Sequence, residues 1–575
     1  MCVVLGALPM KRRTTVAVIL VMAGFAIILG RLFILQVLDA PLYDTLSRSE
    51  RERLALVEGA RGTILSADGR PLADNRSVPS LAADPLQIRR YENPSLLASQ
   101  LAPILGIPPE VIRKRILARK RFVWIKHGIS DEERRRIGRR IRGLYILTEK
   151  RRTYPYGSIF RSVVGRIRSD GTAVSGLEKG YDQFLRGKKG KIVREVSARG
   201  RSYFQTESSS QGALSGNTIE TTLVASLQEY AQDALDEEVR SVNAQGGIVV
   251  VMDPRTGAVL ALAARASGRW AGPSPGVSLV YEPGSIFKLV TASAALNDHR
   301  VSLDDAFFCY NGAMPIPGGI LHDAEPYKTL TLSGILAHSS NIGISQVALR
   351  LGPDKFEHYI RAFGFGERTG IDFPGESRGF FRGTRFWSKR SLYTLAMGQE
   401  IGVTPIQLVA AVSAIANGGT LMRPFMVSRV VTPEGKVLFE HKPRKVRRVI
   451  SRETSLTLLS LLTGVVAPDG TGANAAITGF AVAGKTGTAE VYDPEKHAYS
   501  RTQTVDSFVG ILPVDNPRLV VLVVVIQPKG ISWGGTVAAP LFRKVAEMAL
   551  VHFRIPASVR GEGKTVARAD LPLGH

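Results

Sequence analysis

At 575 residues the chain is too long for one ordinary domain, and a hydrophobic content of 44% supplies real cores, which excludes a disordered protein. A formal charge of +25 points to an anionic neighbour: a nucleic acid, a membrane surface or an acidic cell-wall polymer. No zinc-finger spacing, RNA-recognition motif or P-loop occurs, so nucleic acid is set aside, and scattered histidines without an HExxH pair argue against a catalytic metal.

Lys11, Arg12 and Arg13 precede "TTVAVILVMAGFAIILGRLFILQVL". The strictly apolar part covers 16–30 and the pattern resumes after Arg31. Residues 14–38 are therefore long enough for a hydrocarbon core of about 30 Å, which takes about 20 residues. Arg31 lies near one end, where a long side chain reaches the headgroups. The alternative is a cleaved signal peptide, but the run is long for one and no small-x-small site follows it cleanly. The basic cluster predicts a cytoplasmic tail over 1–13, an anchor over 14–38 and an outward remainder. The only two cysteines, Cys2 and Cys309, then lie on opposite sides of the membrane and cannot pair.

Residues 39–215 form a first extracytoplasmic region. In "ARGTILSADGRPLA" (60–73), Thr63, Ile64 and Leu65 predict a short strand, 67–70 a turn, and Pro71 a restart. The arginine-rich "DEERRRIGRRIRGL" (131–144) mixes signs and predicts a solvated helix face rather than an anion-binding surface. A second region runs over 216–556. Thr218 to Thr222 alternate as a strand, and from about Ser226 an amphipathic helix carries Leu227, Tyr230, Ala231 and Leu235 on one face. "GGIVVVMDPRTGAVLALAA" predicts two strands around a turn at 253–257. Helices are expected near 285–297, 331–351, 405–416 and 452–466, strands near 480–490 and 505–526, and a last helix near 539–553. "LVVLVVVI" (519–526) is apolar but too short to span a bilayer, so it predicts a buried strand. Helices inserted between strands of one sheet imply a mixed α+β domain. Residues 557–575 look like a loose tail.

Three short elements carry the chemistry. "YEPGSIFK" places Ser285 three residues before Lys288, one helical turn apart. A serine hydroxyl is a weak nucleophile until a base takes its proton. A lysine serves as that base if burial and nearby positive charge lower its pKa. The helix start would add backbone N–H groups for an oxyanion. Alone, S-x-x-K is common by chance, and Ser285 fits a plain N-cap. "HSSNIG" then supplies Ser339 and Asn341, and "GKTGTAE" supplies Lys485, Thr486, Gly487 and Thr488. S-x-x-K, an S-x-N element and K-T-G in this order are the signature set of penicillin-binding proteins and class A β-lactamases. Ser339 can relay a proton between Lys288 and a leaving amine. Asn341 can hold a lysine and a substrate amide. Lys485, Thr486 and Thr488 offer a cation and hydroxyls to a carboxylate, and Gly487 permits close approach to the strand. The N–H groups of Ser285 and Thr488 would form the oxyanion hole. His338 is a weaker candidate base, since the lysine already supplies one.

With these residues in view, the sequence resembles a class B penicillin-binding protein of the cell-division type. The resemblance covers nearly the whole chain, through "GRLFILQV", "RGTILSADGRPLA", "RTYPYGSIFRSVVGRI", "GLEKGYDQFLRGKKG", "VMDPRTGAVLALA", "AMGQEIGVTPIQL" and "SFVGILPVDNP". It implies a pedestal, or dimerisation-type, domain over 39–215 and a transpeptidase domain over 216–556 with a five-stranded sheet among helices. It implies a D,D-transpeptidase that crosslinks peptidoglycan stem peptides through a serine acyl-enzyme, with possible carboxypeptidase side activity and no cofactor. The active-site roles carry over to Ser285, Lys288, Ser339, Asn341, Lys485, Thr486 and Thr488. β-Lactams would acylate the same serine. The implied partners are the membrane, a polytopic glycosyltransferase of the SEDS type and other division proteins, at the septum of the cytoplasmic membrane. "YEPGSIFK" and "SSNIG" favour the division type over the elongation type. A β-lactamase would have no use for the anchor and pedestal, and a β-lactam sensor would carry more membrane helices. A non-catalytic scaffold would tolerate loss of Ser285 or Lys288.

Overall fold

The computed structural model describes residues 10–43, 52–57, 59–120, 122–138, 141–188, 190–196, 202–205, 213–493, 498–530 and 533–557. The chain divides into two compact units, one of residues 1–60 with 187–215 and the other of 61–186 with 216–575. In the first, the helix Met10–Phe33 continues as a π-helical turn, Ile34–Leu38. Its stretch Thr14–Leu38 has a mean hydropathy of 2.6 and the length to cross a membrane, as the composition predicts. The same unit holds three antiparallel strands, Glu52–Val57, Gly190–Val196 and Ser202–Gln205.

The second unit is mixed α+β. Helix α1 (Ala225–Ser241) buries Leu227, Ala231 and Leu235, the face its periodicity predicts. Strands β1 (Gly246–Met252) and β2 (Val259–Ala266) form the expected hairpin. Then come helices α2 (Lys288–Asn297), α3 (Leu332–Ala337), α4 (Asn341–Leu351), α5 (Pro405–Ala416) and α6 (Arg452–Thr463). Strands β3 (Ala483–Asp493), β4 (Ala498–Leu512) and β5 (Leu519–Ile526) precede α7 (Gly534–His552). The antiparallel sheet order is β2-β1-β5-β4-β3, which leaves β3 at an edge.

Both faces of this sheet are covered, so central β5 is buried at every residue and reads as an unbroken apolar run. Val521, Val523 and Val525 pack with Leu541, Phe542 and Val545 of α7. Val520, Leu522 and Val524 face the other way, onto the cluster that includes Leu289 of α2 and Leu408 of α5.

A second sheet joins distant parts of the chain. Its strands run in the order Val437–Glu440, Val427–Val431, Thr218–Thr221, Ile64–Leu65, Pro71–Ala83 and Val123–Lys126, with Leu144–Thr153 also on Pro71–Ala83. Beside it the quoted arginine and glutamate motifs meet. Arg61 and Arg152 each donate to the buried Glu178 carboxylate at 2.6 Å, and Arg61 also reaches Asp182 at 2.6 Å.

Three expectations need correction. The helix expected over 331–351 is two helices, because Ser339 takes a left-handed φ of +60° between them. The last helix begins at Gly534 rather than near 539. Its first residue sits where a Cβ would meet the Gly487 carbonyl oxygen at 2.5 Å, so tertiary packing overrides the weak local signal of two glycines and Pro540. The arginine-rich helix is short, Asp131–Ile137, and ends at Gly138; its charged residues are largely exposed, as a solvated face requires. From 558 on, the tail lies outside the described residues, as does Cys2.

Candidate active site

The segment before Ser285 is tied down by backbone pairing of Tyr281 with Val403, N–H to carbonyl in both directions at 3.0 and 2.8 Å. Gly284 then turns with φ +54°, and its N–H donates to the Gly398 carbonyl. A Cβ at Gly284 would meet the Thr488 carbonyl oxygen at 2.8 Å, so glycine is needed where the turn passes β3. Ser285 lies in a 3₁₀ turn, Gly284–Phe287, not in the α-helix itself, which starts at Lys288. In a 3₁₀ turn residues i and i+3 eclipse, so Ser285 and Lys288 share one side. Ser285 is partly exposed and Lys288 is fully buried. Among the described residues Ser285 Oγ has no hydrogen-bond partner.

The second element is built by the break between α3 and α4. Ser340 caps α4, its Oγ accepting from the Gly343 N–H at 2.9 Å. Asp323 braces the same loop. Its carboxylate accepts from Ser340 Oγ at 2.6 Å and from the N–H groups of Asn341 and Ile342 at 2.5 and 2.9 Å. The left-handed Ser339 thereby presents both its carbonyl and its hydroxyl to Lys288. The Lys288 ammonium nitrogen donates to the Ser339 carbonyl at 2.5 Å, to Ser339 Oγ at 3.1 Å and to Asn341 Oδ1 at 2.8 Å. Asn341 Nδ2 donates to the His322 carbonyl at 2.9 Å.

Edge strand β3 brings the third element. Lys485 Nζ donates to Ser339 Oγ at 2.9 Å, so one hydroxyl bridges both lysines. Thr486 Oγ1 donates to Thr471 Oγ1 at 3.0 Å, and Thr471 in turn donates to the Ala337 carbonyl through its N–H and its hydroxyl. Thr488 Oγ1 accepts from the Gly534 N–H at 3.2 Å, which leaves its own proton to donate. The close approach at Gly487 is to the serine turn: a Cβ would lie 2.5 Å from Ser507 Oγ and 3.0 Å from both Ile286 and the Pro283 carbonyl.

Burial pushes Lys288 down to about 7, against the opposing pull of the Asp323 charge. Burial, and then the neighbouring Lys288, push Lys485 well below the usual lysine range. Two buried amines sharing one hydroxyl resist being charged together. The site therefore has an amine able to accept a proton near neutrality, and a second able to hold an anion once a carboxylate supplies the missing negative charge.

Lys288, Ser339, Asn341, Lys485 and Thr486 thus form one hydrogen-bonded cluster, with Ser285, Gly487 and Thr488 at its border. His338 stays outside it and stacks on Tyr327 at 5.1 Å. Asp323 and Thr471 were not singled out by the motifs. The turn-rich "PDGTG" hints at a loop around Thr471, while nothing local marks Asp323. Among the described residues no group of three His, Cys, Asp or Glu side chains is arranged to hold a metal ion.

Residues 247–547 match the penicillin binding protein transpeptidase domain, and residues 56–221 match the penicillin-binding protein dimerisation domain. The chain is 34% identical over 535 residues to stage V sporulation protein D of Bacillus subtilis, covering 90% of this chain and 82% of that one. It is 28% identical over 510 residues to the probable peptidoglycan D,D-transpeptidase PenA of Neisseria meningitidis serogroup A, covering 86% and 84%. Among solved structures it superposes on penicillin binding protein 3 from Mycobacterium tuberculosis, complexed with aztreonam, with a TM-score of 0.67. That alignment has 27% identity and covers 88% of this chain and 98% of that one.

Proposed function

Because the chain belongs to the class B penicillin-binding proteins, the peptidoglycan D,D-transpeptidases with a dimerisation domain before the transpeptidase domain, we propose that Ser285 is its acylating nucleophile. The observation that carries this reading is the buried Lys288, held by Ser339 and Asn341 and poised near neutrality one turn from Ser285. Lys288 takes the Ser285 proton as Oγ attacks the carbonyl of the penultimate D-alanine of a stem peptide. The N–H groups of Ser285 and Thr488 steady the oxyanion. Lys485, Thr486 and Thr488 hold the terminal carboxylate. Ser339, bonded to both lysines, passes a proton to the departing D-alanine amine. An amine of a neighbouring strand then takes the acyl group and forms the crosslink; water in its place gives carboxypeptidase activity.

β-Lactams would acylate the same serine. The apolar helix over 14–38 fits a single-pass membrane protein, and the basic residues before it support an outward-facing catalytic domain. The wording of "YEPGSIFK" and "SSNIG" supports work at the division septum, beside a SEDS-type glycan polymerase. Labelling with a fluorescent penicillin and mapping the modified peptide tests the nucleophile: an adduct anywhere but Ser285, or none, refutes it. Depletion in a rod-shaped host tests the septal role. Filaments or chains are expected, and round cells that still divide would replace it with an elongation role.

A further inference from the structure

The second sheet ends on an open edge. Its outermost strand, Val437–Glu440, pairs on one side with Val427–Val431, and among the described residues no strand lies on its other side. His441, just past the strand, donates its N–H inward to the Ser428 carbonyl at 2.7 Å. Backbone groups alternate along an antiparallel strand, so the N–H and carbonyl of Glu440 point off the sheet, where an added strand would meet them. Val437, Leu438 and Phe439 are 45%, 49% and 43% exposed. Neighbouring residues of a strand point to opposite faces, so three exposed in a row mean that both faces are open at this edge.

The charge around this edge is mostly of one sign. Residues 434–448 hold Lys436, Lys442, Arg444, Lys445, Arg447 and Arg448 against Glu434 and Glu440. All six cations are exposed. Lysines and a bulge are the usual guards of an edge strand, and both are present, the bulge falling opposite Val430 and Val431. These guards keep two copies of this chain apart, since the same six cations would face one another. They do not account for an apolar run of three residues left in the open. An unpaired backbone edge, exposed apolar side chains on it and an excess of positive charge beside it are complementary to a strand that is both apolar and acidic.

We infer that this edge is a docking site for another protein, which adds an extended segment of alternating apolar and acidic residues as the next strand of the sheet. Ladder hydrogen bonds to Glu440 supply register, the partner's apolar side chains cover Leu438 and Phe439, and its carboxylates meet Lys442, Arg444 and Lys445. An anionic polymer or membrane would use the charge but neither the ladder nor the apolar run. The inference is independent of the assignment of Ser285.

The test uses the full-length protein in detergent and a phage-displayed library of random ten-residue segments. Selection should enrich segments that alternate β-branched or aromatic residues with Asp and Glu. A labelled synthetic peptide of the most enriched sequence then gives Kd by fluorescence anisotropy. The combined variant Lys442→Glu, Arg444→Glu and Lys445→Glu should weaken it by about tenfold or more, the summed effect of three exposed ion pairs. Glu440→Gln removes a like charge and should bind at least as well as the wild type. Glu440→Pro removes the same charge together with the outward N–H and should lose binding; an edge strand tolerates proline, and a thermal melt checks that the variant is folded. No acidic enrichment beyond that of a parallel selection on the triple variant, or equal binding by Glu440→Gln and folded Glu440→Pro, overturns the docking strand. Charge-dependent binding to anionic phospholipid vesicles without any enriched peptide overturns it in favour of a membrane contact, and self-association in sedimentation equilibrium that Glu440→Pro abolishes overturns it in favour of a second copy.

Discussion

The pH dependence of acylation tests the core of the mechanism. A proton on Lys288 Nζ blocks it from accepting the one on Ser285, so the rate follows the neutral fraction and rises with pH. With burial holding Lys288 at about 7, roughly one molecule in ten is competent at pH 6 and about nine in ten at pH 8. Acylation by a chromogenic cephalosporin, followed by stopped flow under single-turnover conditions, should therefore rise about tenfold between these values and level off above about pH 8. An ordinary exposed lysine would give no plateau, because its rate would climb about tenfold per unit through pH 9. Asp323→Asn supplies an internal control. The Asp323 charge holds Lys288 up, so removing it should move the rising limb to lower pH, even if loosening of the Asn341 loop slows the reaction at every pH. Lys288→Ala should cost about 10²- to 10⁴-fold and abolish the limb. A rate constant from pH 6 to 8, or an intact limb in Lys288→Ala, would refute Lys288 as the base.

Lys485→Ala should mainly weaken capture, raising the concentration of penicillin needed for half-maximal acylation more than it lowers the limiting rate; the opposite split would move Lys485 into the proton relay. Gly487→Ala forces a Cβ to within 2.5 Å of Ser507 Oγ and 3.0 Å of the Pro283 carbonyl. It should lower stability by roughly 1–3 kcal/mol in thermal melts and slow acylation through a displaced serine turn. Arg152→Ala breaks a pair whose Glu178 partner is fully buried and should cost roughly 3–5 kcal/mol, read as a lower melting temperature; a change under about 1 kcal/mol would mean that Arg61 alone satisfies that carboxylate. Cys309 is a buried free thiol pushed up by burial, so it should resist thiol reagents in the native protein and react after denaturation. A Cys2–Cys309 disulfide on a non-reducing gel would overturn the membrane topology.

Much of the site was legible because its parts are local. The spacing of Ser285 to Lys288, the Ser339-Ser340-Asn341 step and the Lys485 to Thr488 run are each written within a few residues, and the chemistry of each follows from residue type. The long apolar helix over 14–38 was legible for the same reason, since its composition is continuous along the chain. The β1–β2 hairpin and β5 were readable from alternation and from an unbroken β-branched run between turn residues.

What stayed hidden depends on contacts between distant positions. A break at Ser339 is invisible in a helix-compatible sequence; it exists because Asp323 holds the next turn from 17 to 19 residues away. Thr471 acquires its place only when β3 lies beside the end of α3. The strands Val427–Val431 and Val437–Glu440 join Thr218–Thr221 in a sheet that also takes Ile64–Leu65, a pairing that no period within one segment encodes. Glu282 reads as one acidic residue before a proline until folding brings it against the Tyr499 hydroxyl and the Glu400 N–H. Residue type and spacing thus marked the groups that the structure brings into one cluster. Only the tertiary structure decided their protonation, since desolvation and neighbouring charge act through space rather than along the chain.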